Sequence, residues 1–170
     1  MDLMELIETR NLQVVDQLDR PLSADHLPNI CGVRAAHIFL RSDDGHLVLQ
    51  RTGPSHRHPD VVGSSVAGFV LRGETYEQAA RRRLPEELGT TATTLVLIGT
   101  IRSPELNSFK FSAVFLATAQ DIRVAMPGHV GTIEHWENAD FDRALATDPL
   151  QFTPTFPYVY PLVRAFLTDN

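Results

Sequence analysis

Two adjacent acids, Glu86 and Glu87, stand near the end of the segment GFVLRGETYEQAARRRLPEELG, residues 68–89. Hard divalent cations take oxygen ligands, so paired carboxylates are a natural handle for Mg²⁺ or Mn²⁺. Arg83 precedes Glu87 by four residues, which places it one turn away if the segment is helical. At roughly 100° per residue, Glu87 falls in the arc of Tyr76, Ala80 and Leu84, Glu86 borders that arc beside Ala79, and Arg83 lies between the two acids. A carboxylate on the apolar side of a helix is unfavourable unless it is paired or metal-bound. The residues leave both solutions open: a cation held by Glu86 and Glu87, or an internal ion pair between Arg83 and Glu87.

These side chains need a helix to carry them, and 75–88 supplies one, with Tyr76, Ala79, Ala80, Leu84 and Leu88 on one face. Gly89 follows as a C′ glycine. Pro85 deletes one backbone hydrogen bond inside it, or opens a tight last turn that redirects the acids. Glu74 sits where an acid favours a helix N-terminus, which suggests a cap. Around the helix, a strand and turn are expected over 14–22, and strands over 35–40 and 47–51, joined at Asp44-Gly45 as a hairpin. Residues 52–59 read as a loop, 61–66 as a short strand continued over 68–70, and 95–101, 109–118 and 131–136 as further strands. Helices are expected over 140–147 and 157–167, the second shortened or bent by Pro161. Strands interrupted by a few helices, without strict alternation, indicate an α+β or α/β sandwich on a mixed sheet.

The chain has 170 residues, enough for one domain with its own core. Its net charge of −6 argues against binding a nucleic-acid polymer through bulk electrostatics, while leaving room for a local basic pocket. Cys31 is the one cysteine, so no intrachain disulfide or cysteine metal cluster is expected, and a reducing, cytoplasmic setting fits. No apolar run approaches the roughly 20 residues that span a bilayer, so no membrane partner is expected. A homodimer is left open. His37 and Cys31 read as core residues and Trp136 as a packing anchor.

The segment resembles the Nudix box, G-x5-E-x7-R-E-U-x-E-E-x-G-U. Gly68, Glu74, Arg82, Leu84, Glu86, Glu87 and Gly89 match at every required spacing, while Arg83 replaces a box glutamate and Thr90 the closing aliphatic. The resemblance implies one Nudix domain over residues 1–170: an α/β/α sandwich with a mixed sheet, a loop–helix–loop box at 68–90 and a strand/turn extension over about 1–30. It further implies water attack on a small, nucleotide-derived diphosphate, with Mg²⁺ (or Mn²⁺) held by Glu86 and Glu87. A cation neutralises the diphosphate and lowers the pKa of the attacking water. The general base would then be an acid outside the box, for which Glu105 and Glu134 are candidates, or a metal-bound water.

Residues 59–74, with the Arg82-Arg83 pair, resemble type 1 isopentenyl-diphosphate isomerases and the hydrolases nearest them, and those isomerases also carry arginine at position 83. Their catalytic cysteine falls at Ala67, their histidine ligands at Phe69 and near Arg34, and two glutamates near Ser108 and Lys110. Alanine has no acid–base group, which all but removes isomerisation. Arg51 matches a phosphate-binding position of that group, and guanidinium suits bidentate phosphate contacts. The expected site is thus Glu86, Glu87 and Arg83 for catalysis, Glu86 and Glu87 for the metal, and Arg51, Arg57 and Arg72 for substrate. The expected function is Mg²⁺-dependent diphosphate hydrolysis, the alternative an impaired Nudix domain that binds a diphosphate or a protein partner.

Overall fold

The computed structural model describes residues 2–169, apart from the side chain of Ala24. The chain order is α1 (Leu3–Arg10), β1 (Val14–Val15), β2 (Gly32–Arg41), β3 (Leu47–Thr52), β4 (Val62–Gly63), β5 (Val66–Phe69), α2 (Tyr76–Leu88), β6 (Ala92–Glu105), β7 (Ser108–Ala119), β8 (Val130–Trp136), α3 (Asn138–Thr147) and α4 (Phe156–Asp169). The eight strands form one mixed sheet with the spine β4-β3-β2-β7-β6; β1 and β5 also pair with β2, and β8 with β3. β2 runs parallel to β7 and antiparallel to its partners on the other edge.

Alternation along the central strands divides the core. Ile38, Leu40, Ala113, Phe115 and Ala117 pack on one face with Ala79, Ala80, Leu84 and Leu88 of α2. Phe39 and Val114 point to the other face and pack with Phe141 of α3 and with Phe156, Val159 and Val163 of α4. Trp136 anchors that layer, stacked on Phe141 at 5.0 Å. The result is the expected α/β/α sandwich.

Helix α2 is held at both ends. Thr75 and Gln78 form a capping box, each side chain bonding the other's backbone N–H. Glu74 is therefore not the helix cap: it accepts from the Leu71 N–H at 2.9 Å and from Arg82 Nε at 2.6 Å. Gly89 adopts φ 61°, and its N–H bonds the Pro85 carbonyl at 3.0 Å. The helix runs unbroken through Pro85, and α4 runs through Pro161 to Asp169 without shortening. Both prolines are exposed, so the carbonyls they leave unbonded lie on the solvent side, where water can serve them. The N-terminal extension is more than a strand and turn. It opens with α1, capped by Asp2, whose Leu3, Leu6 and Ile7 are buried in a small cluster with Leu12, Val14, Cys31 and Val33.

Gly89→Ala places a Cβ in the left-handed region and about 2.8 Å from the Arg123 guanidinium carbon. The variant is expected to lose about 1 kcal/mol or more, read as a lower urea midpoint at unchanged m-value.

Candidate active site

Glu87 has 0% exposure although it carries a carboxylate. Three elements bring polar partners to it. From its own helix, Arg83 Nη2 donates to Oε1 at 2.7 Å; from the loop before β8, His129 Nε2 lies 2.8 Å from the same oxygen; from β3, Gln50 Nε2 donates to Oε2 at 3.2 Å. Arg83 also donates to Glu86 Oε2 at 2.7 Å, so one guanidinium spans both acids. Of the two solutions the sequence left open, the structure contains the ion pair. Gly68 makes this possible, because a Cβ there would come within 2.6 Å of the Arg83 side chain.

His129 reaches the helix through backbone packing between two loops. The Gly53 N–H bonds the His129 carbonyl at 2.8 Å, and the Ser55 N–H bonds that of Gly128 at 2.8 Å. A side chain at Gly53 would overlap the Gly128 carbonyl. The close approach brings the His56 and His129 rings to 4.7 Å between centroids.

These groups line a cavity of about 260 Å³ between the β2–β5 edge, α2 and the two loops. The same cavity holds a second polar cluster. Glu105 accepts from Arg57 Nη2 at 2.5 Å and lies 3.3 Å from Lys110 Nζ, which donates to Thr155 Oγ1 at 2.8 Å. Burial pushes the Glu105 carboxyl up, but Arg57 and Lys110 outweigh it and hold it below its ordinary range. Burial likewise lowers Lys110, against the pull of Glu105. His37 bonds Ser64 Oγ through Nδ1 at 2.9 Å; burial, with Lys110 nearby, lowers it to about 3. Burial and His129 lower His56 to about 4.

Of the expected substrate residues, Arg57 lines the cavity, whereas Arg51 and Arg72 do not. Arg51 is drawn across the β3–β8 pair to Glu134, at 2.7 Å, and Arg72 is exposed with its backbone tied to Asn11. Glu134 is thereby engaged, and it also accepts from Trp136 Nε1 at 3.0 Å. Ala67, Phe69 and Lys110 line the cavity, while Arg34 and Ser108 do not. His37 is buried but faces the cavity rather than serving only as core, and His129 and Gln50 were not singled out from the sequence at all. His129 lies 42 residues from Glu87 and Gln50 lies 37, with no spacing signal to join them.

Residues 32–156 match the NUDIX domain family. The chain belongs to that family. It is 46% identical over 57 residues to a Nudix hydrolase of Deinococcus radiodurans, covering 33% of each protein. It is 33% identical over 105 residues to an isopentenyl-diphosphate Delta-isomerase of Streptomyces griseus, covering 58% of this chain and 53% of that protein. The matches thus span a third and about half of those relatives. A solved Deinococcus radiodurans structure superposes with a TM-score of 0.71 at 24% identity, over 90% of this chain and 97% of that one, and shows the shared fold.

Nudix proteins generally use divalent metal ions. The acids of this box do not fit one as arranged. Both Glu87 oxygens are occupied by nitrogen donors, Arg83 stands between the two acids, and no group of three or more metal-ligating side chains comes together among the described residues. Among the described residues, no helix is long and apolar enough to cross a membrane.

Removing Arg83 leaves Glu87 buried with one strong counter-charge fewer. Arg83→Leu is expected to destabilise by about 3–5 kcal/mol in urea unfolding at neutral pH, and Arg83→Leu/Glu87→Leu to recover most of that loss. The histidines predict a pH dependence as well. His37 and His56 are held at about 3 and about 4 in the folded chain against an ordinary 6.5, so the unfolded chain binds their protons first. Their effect is absent above 6.5, and stability should fall as pH drops from there towards 4. His37→Asn should flatten part of that slope, measured as urea midpoint against pH.

Proposed function

We propose that this Nudix-family protein hydrolyses a small organic diphosphate, nucleotide-derived in the simplest case, in the cavity beside α2. The observation that carries the reading is the excess of positive charge in that cavity. Arg10, Arg57, Arg82, Arg83 and Lys110 line it against Glu87 and Glu105, in a chain of net charge −6. A concave site with convergent polar groups and shifted histidines is the default place for chemistry. A volume of about 260 Å³ lies near the lower end of small-molecule sites, which suits a small substrate.

Hydrolysis needs a proton taken from water as its oxygen bonds phosphorus and the bridging P–O bond breaks. His129 is suited to accept it. Its Nε2 faces Glu87 Oε1 at 2.8 Å, which favours the tautomer with Nε2 as donor and Nδ1 free to accept. Glu87 acts here as the group that orients the ring. Mg²⁺ or Mn²⁺ has no step in this scheme, because Arg83 occupies the acids that would bind it. Ala67, which lines the cavity, has no group to move a proton to carbon, so isomerisation gains no support.

Phosphate release from a panel of nucleoside and other small organic diphosphates, with Mg²⁺ and with EDTA, tests this. At least one substrate should turn over, and His129→Gln and Glu87→Gln should each lower kcat by about a hundredfold, in keeping with loss of general-base catalysis. Unchanged turnover in both variants removes the assignment. A panel without turnover, but with a ligand that raises Tm, favours a binding role instead.

A further inference from the structure

Resting on the reading of the cavity as a diphosphate site, we propose that the anion is held without a divalent cation, its charge met by Arg57 and Lys110. Three observations carry this. The first is the bridge from Arg83 to both box acids, at 2.7 Å to each, which places a fixed positive charge where the box would otherwise seat a metal. The second is the charge of the cavity. Counted with Glu74 and Glu86, which pair with Arg82 and Arg83 from outside the lining, the cluster of five cations and four acids keeps one positive charge. The third is a set of unanswered polar atoms. His37 and Gln50 are each 4% exposed and line the cavity, yet His37 Nε2 and Gln50 Oε1 have no partner within the protein, nor does Arg83 Nε.

Buried polar atoms are rarely left unpaired in a finished site. In the tautomer in which Ser64 Oγ donates to His37 Nδ1, the unpartnered Nε2–H is a donor, as is Arg83 Nε–H. As donors both match phosphate oxygens once a side-chain shift uncovers them, while Gln50 Oε1 matches water or a ligand hydroxyl. Lys110 and Arg57 share one acid, Glu105, so the trio carries a surplus charge for the anion. Their charge acts strongly because Lys110 is 7% exposed and set in low-dielectric surroundings. A metal would instead have to displace Arg83 from two charge-assisted bonds and reach an acid that water does not touch.

The test is calorimetry of the full chain with methylenediphosphonate, a diphosphate that water cannot cleave, in EDTA. Binding is expected without added metal, weakened about tenfold by Arg57→Gln or Lys110→Met, as expected for loss of a charge-assisted contact, and unchanged by Arg81→Gln on the solvent face of α2. If Lys110→Met fails to fold by circular dichroism, Arg57→Gln, at a side chain about 30% exposed, decides the matter. Binding that appears only with Mg²⁺, or that both variants retain in full, overturns the proposal. No binding under either condition overturns it together with the hydrolase reading. Binding in EDTA without turnover of any diphosphate keeps this inference and removes hydrolysis. Turnover only with Mg²⁺, and no binding in EDTA, does the reverse.

Discussion

A carboxylate sealed from water at the junction of helix and sheet constrains everything around it. The unpaired charge of Glu87 would be prohibitive there, so three donors converge on it from the helix, the central sheet and the loop before β8. Each donor imposes a condition. Arg83 needs the bare backbone of Gly68, His129 needs two loops in backbone contact at Gly53 and Gly128, and Gln50 needs β3 in register beside β2. Satisfying one charge thereby fixes the relative position of the elements that enclose the cavity.

The same constraint sets the electrostatics of the site. An acidic chain gathers cations around one concave region, and low-dielectric walls focus their field on whatever enters. His37 and His56 stay neutral near pH 7 because burial and neighbouring cations or histidines disfavour their charge. The fixed positive charge therefore comes chiefly from arginine, whose guanidinium does not titrate near neutrality, and His37 and His56 remain as neutral hydrogen-bonding groups.

Local patterns in the sequence translated directly into structure where the cause was local. The apolar spacing of 75–88 gave α2 its buried face, and Asp44-Gly45 joined β2 to β3. Misreadings arose where a local rule met an unstated surrounding. Pro85 and Pro161 did not break their helices because both lie on solvent-facing sides. Glu74 looked like a cap, but Thr75 and Gln78 do that work and free Glu74 to bind Arg82. α1 was missed because its charged residues interrupt the apolar ones in sequence, although they lie on the exposed side of a single short helix.

The sequence alone determined the family, the box helix and the proximity of Arg83 to Glu87, since each depends on residues within one segment and on helical geometry. Tertiary structure decided which partner Glu87 takes. It also decided that Arg51 turns to Glu134 instead of the cavity, and that His129, Gln50 and His37 join residues far from them in the chain. Those outcomes depend on strand register and loop contact, which bring distant residues within hydrogen-bond range only after the sheet has closed.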